Sequence, residues 1–413
     1  MARVVISFVG RRGHSVGYTF PGGMPDGMLR RQRDFFLTVL LAWLAWQGKP
    51  ADRVIVIGTM TSHWRLLRDD LDRLDHDLPS GTTRPGICYA EMAEARDDAI
   101  YVETLETIRG AIGATDQVVL DLSQGMRHQP LIALLAALYL DRLPANRDVT
   151  IEHVFSASVE RDADDNIIQR VQVRDLRPIL DLAAWVFALG AFEASGDTGV
   201  FTDVLMADGN ARQAVEQLCK GAALERATRT EAAAVTIRDA IERLDATADR
   251  TFALRGAGRA FAPDFENSLA WVHPIHPFDQ QRALAKRHLK HEDWLRDATV
   301  MYETCCIRLL DTMDKTKPKP EFAKLPAYKQ RHAAAHNYVQ SNPTWFATIR
   351  VGNEAAFDQR VADFKRLTAI RNALAHAGEP DDAVEAIVAV PDDLHAELCR
   401  LYDTLLADKR PFP

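Results

Sequence analysis

Cysteine is scarce and unpatterned. Five occur in 413 residues, Cys88, Cys219, Cys305, Cys306 and Cys399, an odd number with two adjacent and no C-x-x-C pair. That excludes a disulfide framework and a cysteine zinc site, and it suits buried thiols in a reducing cytoplasm. Basic charge is short as well: 50 Lys and Arg stand against 58 Asp and Glu, a net charge of −8. A chain that coats nucleic acid non-specifically carries the opposite sign, so any such contact is confined to a local patch or pocket. No apolar run reaches the ~20 residues of a membrane helix. The longest, Phe35 to Trp46, stops at Gln47 and reads as a buried helix, so no membrane partner is expected. Met1 leads through ARVVISFVG into a strand and a Gly loop, without the basic region and cleavage site of a secretory leader. No internal repeat is visible. The dinucleotide fingerprint is missing after the first strand, where Gly10-Arg11-Arg12-Gly13 has the wrong spacing.

What is present is ordinary globular composition, 47% hydrophobic and 26% charged, enough for two or three domains. The first ~175 residues alternate β-branched runs with helical patterns. The runs are Val4–Val9, Val54–Ile57, Val118–Leu122, Ile151–Ala157 and Ile167–Val173; the helical patterns are Leu29–Trp46, Trp64–Leu78, Met92–Ile112 and Gln129–Leu140. Continuous apolar strands separated by helices imply a parallel sheet covered on both faces, a Rossmann-like α/β architecture. After Pro178 the strand signals stop. Helices are expected over Ile179–Glu193, Val200–Met206, Ala211–Ala246, Trp294–Asp314, Glu354–Ala377 and Asp392–Leu406, with irregular segments at 251–280 and 315–343. The expected organisation is an α/β domain over 1–178, a helical connector over 179–280 and an all-α domain over 281–413.

Ligands of parallel α/β sheets bind beyond the carboxyl ends of the strands. Three such ends are polar or Gly-rich here: Gly10-Arg11-Arg12, then Gly58-Thr59-Met60-Thr61-Ser62-His63, then Asp121-Leu122-Ser123-Gln124-Gly125-Met126-Arg127. Small residues allow close backbone approach, hydroxyls and free N–H groups suit phosphates, and Arg adds bidentate contacts. Together they describe a pocket for a small anionic ligand, with Asp121 accepting backbone N–H bonds from the turn that follows it.

The run VLDLSQGMR, from Val119 to Arg127, resembles the D-x-T-H-G-x-R signature of CRISPR-associated proteins with a CARF sensor domain. VVISFVG, IGTMTSHW and LRPILDLAAWVFALGAFEASGD are similar to the first two strand–loop pairs and the following helix of the same family. Ser123 stands where that family has Thr and keeps the hydroxyl. Gln124 stands where it has His and cannot titrate. The resemblance implies a cyclic oligoadenylate ligand, held by Gly10, Arg11, Arg12, Thr59, Thr61, Ser62, Ser123, Gln124, Gly125 and Arg127.

Near the other end, Arg371-Asn372-Ala-Leu-Ala-His376 resembles the R-N-x-x-x-H motif of HEPN ribonucleases, the domain usually fused behind a CARF sensor. Spacing alone says little, because 39 Arg and 13 His in 413 residues give about one Arg-x-x-x-x-His by chance. Two occur, the second being Arg331 to His336. Phe364, Leu367, Ile370 and Leu374 form a helical apolar stripe through the first, and Gly378 and Pro380 close it. The second follows a Lys/Pro-rich stretch from Lys315 to Arg331, which is a candidate RNA-backbone contact; its His332 and His336 share a helix face but lack a third metal ligand.

The expectation is therefore a cyclic-oligoadenylate-activated, metal-independent single-stranded RNA endoribonuclease of type III CRISPR defence, cytoplasmic and homodimeric, without a cofactor. His376 moves protons, Arg371 holds the charge on the phosphoryl oxygens and Asn372 orients them. Residues five apart on a helix lie about 140° apart round the axis. One helix thus does not present both groups on one face, whereas a two-fold dimer pools two copies. The alternative is a non-catalytic nucleotide sensor that signals through a partner.

Overall fold

The computed structural model describes residues 2–10, 16–21, 23, 33–92, 99–125, 128–142, 148–157, 170–210, 212–244, 254, 256–313, 320–340, 345–346, 354–376 and 382–407. The chain divides into two compact units, Met1–Ala184 and Trp185–Pro413.

In the first unit, β1 (Arg3–Phe8), β3 (Arg53–Thr59), β4 (Gly86–Met92), β5 (Gln117–Asp121), β6 (Thr150–Ser156) and β8 (Arg174–Asp175) form one sheet in the order β4-β3-β1-β5-β6-β8. All neighbours are parallel except β6 and β8. β2 (Gly17–Thr19) and β7 (Arg170–Gln172) pair separately. The Rossmann-like parallel sheet expected from the sequence is present. Strand side chains alternate faces. Val5 and Val9 pack with α1 (Phe36–Trp46) and α2 (Trp64–Leu71) on one face. Val4, Ile6 and Phe8 pack with α3 (Ala99–Ala111) and α4 (His128–Arg142) on the other.

Several boundaries differ from the sequence reading. The helix expected from Leu29 begins at Phe36 among the described residues. Asp70 of α2 fixes that start, its Oδ2 accepting from Phe35 N at 3.3 Å and from Thr38 Oγ1 at 2.9 Å. Met92, expected to open the next helix, closes β4 instead, and among the described residues that helix runs over Ala99–Ala111. Trp64–Leu78 is α2 followed by a single 3-10 turn at Leu74–His76.

The second unit is helical among its described residues, matching the expected all-α domain. α5 (Arg177–Ser195) leads into it, followed by α6 (Thr202–Ala207), α7 (Arg212–Arg226), α8 (Thr230–Leu244), α9 (Ala262–Ser268), α10 (Pro277–Lys290), α11 (Trp294–Thr312), α12 (Ala327–Val339), α13 (Glu354–Ala375), α14 (Asp382–Val388) and α15 (Pro391–Leu405). The single helix expected over Ala211–Ala246 is two, α7 and α8. Thr228 turns the chain at φ +55°, and Arg229 N donates to Leu224 O at 2.9 Å. Gly221 allows the hairpin to close, since a Cβ there would lie 2.4 Å from Ile237 Cγ1. The irregular segment 251–280 contains α9 and the start of α10. The segment 315–343 contains α12, which Pro326 opens from the N-cap position.

His288 of α10 is fully buried with neither ring nitrogen bonded, and burial together with Arg287 and Arg296 pushes its pKa down to about 2. The folded value lies below the unfolded 6.5. Its contribution is therefore complete above the unfolded value and is lost as pH falls. At pH 5 the loss relative to pH 7 is about 2 kcal/mol. His288→Leu is expected to remove that slope, as read by urea unfolding of both proteins at the two pH values.

Candidate functional site

The structure brings the three predicted loop ends together at the carboxyl edge of the sheet. Ser62 Oγ donates to Val9 O at 2.9 Å and accepts from Thr59 N at 2.9 Å. His63 N donates to Gly10 O at 3.1 Å. Gly10 packs so closely that a Cβ on it would lie 3.2 Å from Gly125 N. Gly58 is needed for the same reason, because a Cβ would lie 2.3 Å from Val9 Cγ1. Thr59 is buried and Thr61 is exposed, their hydroxyls 3.3 Å apart.

Asp121 sits under this junction, fully buried, and burial raises its pKa against the lowering effect of its hydrogen bonds. Ser7 Oγ donates to Oδ2 at 2.6 Å, and Ser123 N donates to Oδ1 at 2.8 Å. The turn expected after Asp121 is thus present, and the aspartate holds the loop in place. Ser123 Oγ accepts from Ala157 N at 2.8 Å, and Gln124 Nε2 donates to Asp34 O at 3.1 Å. Ser62 and Ser123 are therefore engaged in fixing one loop to the next. Arg11, Arg12 and Arg127 lie outside the described residues. Tyr18 of β2 is a neighbour that sequence reasoning missed. It is buried, and burial with the nearby Asp121, Asp70 and Asp34 carboxylates raises its pKa. Its strand is three residues long and carries no sequence signal.

The second candidate lies on α13. Phe357, Val361, Phe364, Leu367 and Ile370 form its buried face. Arg371, partly exposed, directs its guanidinium over the Tyr302 ring, 4.8 Å from the centroid, and Nη1 lies 3.1 Å from Asn372 Oδ1. Asn372 and His376 are exposed, and His376 N donates to Asn372 O at 2.9 Å as the helix ends. Gly378 and Pro380 lie outside the described residues.

The two Arg-x-x-x-x-His matches differ in what their arginines do. Arg331 forms an ion pair with Glu231 of α8. Among the described residues Arg371 has no ion pair, so its charge is available. His332 is 3.5 Å from Glu303 Oε1 through Nε2 and 3.4 Å from Tyr302 Oη through Nδ1. Among the described residues no group of three His, Cys, Asp or Glu side chains gathers around His332 and His336. Of the Lys-rich stretch, 315–319 fall outside the described residues, and Lys329 lies 6.0 Å from the Tyr328 ring.

No family model matches the sequence, and no curated protein matches it. Among solved structures the chain is similar to Enterococcus italicus Csm6 bound to cyclic hexa-2'-fluoro-hexa-dAMP, at 9% identity and a TM-score of 0.41, over 98% of this chain and 96% of that chain.

Proposed function

We propose that this chain is a cyclic-oligoadenylate-activated, metal-independent single-stranded RNA endoribonuclease of type III CRISPR defence. One observation carries the reading: Arg371 presents a cation with no ion pair among the described residues, beside Asn372, with an exposed imidazole at His376 one helical turn beyond Asn372. These are the groups needed to cut RNA with its own 2'-hydroxyl. The O2'–P bond forms and the P–O5' bond breaks, leaving a 2',3'-cyclic phosphate and a 5'-hydroxyl. His376 moves the proton between the two oxygens, and Arg371 holds the charge that builds on the phosphoryl oxygens.

The CARF-like signature and the convergence of three loops around Gly10 and Gly125 supply the regulatory half. A ring of nucleotides brings several phosphates, and glycine loops at strand ends accept them through backbone N–H groups. Occupancy shifts a dimer toward the arrangement that pairs two α13 helices, which requires tighter binding to that state than to the other. Exposed apolar side chains on α4, Leu131 and Leu135, and on α5, Val186 and Phe187, are the surfaces on which this reading seats the second copy.

The test is cleavage of labelled single-stranded RNA by the full chain, with cyclic tetra-adenylate or hexa-adenylate and with EDTA. Cleavage only with activator, undiminished by EDTA and ending in 2',3'-cyclic phosphate, is expected. Tight binding of either ring with no cleavage overturns it in favour of a non-catalytic sensor.

A further inference from the structure

We infer that Tyr302 is the positioning residue of Arg371, holding the guanidinium on its aromatic face so that the charge stays free for a phosphate. The functional consequence rests on the ribonuclease reading; the geometry does not.

Tyr302 lies on α11, and Arg371 and Phe364 lie seven residues apart on α13. Seven residues are two helical turns, so both side chains leave the same side of α13. One tyrosine ring meets both. It stacks on Phe364 at 5.3 Å between centroids and 14° between planes, and it carries the Arg371 guanidinium at 4.8 Å. Arg371 Nε is buried and makes no hydrogen bond among the described residues. With no carboxylate paired to it among the described residues, the ring face and Asn372 Oδ1 are what fix the guanidinium plane. The distinction matters chemically. A carboxylate partner would orient an arginine and cancel its charge, whereas an aromatic face orients it and leaves the charge intact.

Tyr302 is itself held. Its hydroxyl is 3.4 Å from Nδ1 of His332, and the other nitrogen of that imidazole is 3.5 Å from Glu303 Oε1. The His332 ring thus bridges two neighbouring residues of α11 from α12, its centroid 5.8 Å from that of Tyr302. The second Arg-x-x-x-x-His run of the sequence therefore serves the first: Arg331 ties α12 to Glu231, and His332 braces the tyrosine under Arg371.

The experiment has two independent readouts. Phenylglyoxal labelling of Arg371, followed by peptide mass spectrometry, reports how firmly the guanidinium is held and needs no activity. Tyr302→Leu is expected to speed labelling several-fold, while Tyr302→Phe, which keeps the ring, leaves it unchanged. In RNA cleavage, Tyr302→Leu is expected to lower kcat about tenfold with little change in KM, and Tyr302→Phe to restore it to within about twofold. Unchanged labelling in folded Tyr302→Leu overturns the assignment. Should that variant fail to fold, unchanged labelling in Tyr302→Met, which keeps the bulk and removes the aromatic face, overturns it instead. Faster labelling in Tyr302→Leu, in a protein whose parent cuts no RNA, upholds the positioning role and overturns the ribonuclease reading.

Discussion

His376→Ala is expected to lower activated cleavage of single-stranded RNA by about 10²–10⁴-fold, the range lost when a positioned proton-transfer group is removed. The loss should fall on kcat, because an imidazole that acts on the proton in flight contributes little to holding the RNA beforehand. The protein should stay folded. His376 is exposed at the end of α13 and makes no side-chain hydrogen bond among the described residues, so its removal forfeits at most a helix-terminus interaction of roughly 0.3–1 kcal/mol. Parallel melting curves for the two proteins check this. Activator binding should also be unchanged, since no sensor residue is touched. Mixing His376→Ala with Arg371→Ala protein offers a sharper outcome. Where the groove is built from two chains, a mixed dimer keeps one intact Arg and one intact His, and partial activity should return. Undiminished cleavage by His376→Ala alone removes this residue from the mechanism.

What the sequence reveals of the fold depends on burial. β1, β3, β5 and β6 were visible because strands covered on both faces read as unbroken apolar runs. β4 was not: GICYAEM lies at the sheet edge, is mostly exposed or half-buried and offers no such run. The α7–α8 turn was hidden because Thr228, neither Gly nor Pro, takes the left-handed conformation. α12 was hidden because lysines and prolines before it set the local composition. The loop residues at the sheet edge were legible from topology alone, since parallel strands deliver their carboxyl ends to one side. The engagement of Ser62 and Ser123 was not, because it depends on Val9 O and Ala157 N, which no spacing rule connects to them. In the helical unit the motif spacing left two equal matches. The apolar stripe from Phe364 to Leu374 already favoured the first, and the packing adds what sequence could not show, the pairing of Arg331 with Glu231 and the seat of Arg371 on an aromatic face.

Gly125→Ala should disable the sensor edge more severely than any side-chain truncation there. Two costs combine at this position. The backbone sits at φ +109°, where an L side chain is strained by about 1–3 kcal/mol. A Cβ would also lie 2.7 Å from Phe8 Cβ and 2.6 Å from Gln129 Oε1. The glutamine can swing aside. Phe8 cannot, because its Cβ is fixed to β1, whose neighbours on both sides are strands. Either the Ser123–Gly125 turn leaves Gly10, or β1 shifts in its sheet. A stability loss of about 2–4 kcal/mol is expected by urea unfolding, and activator affinity measured by calorimetry should fall at least about tenfold. Gly81→Ala separates the two causes, since Gly81 shares the left-handed backbone at φ +82° but has nothing within 4 Å of its Cβ position. It should show the strain alone and keep the affinity. Equal affinity in Gly125→Ala and wild type would mean that this turn does not border the ligand, and the pocket would have to be sought away from the Gly10–Gly125 contact.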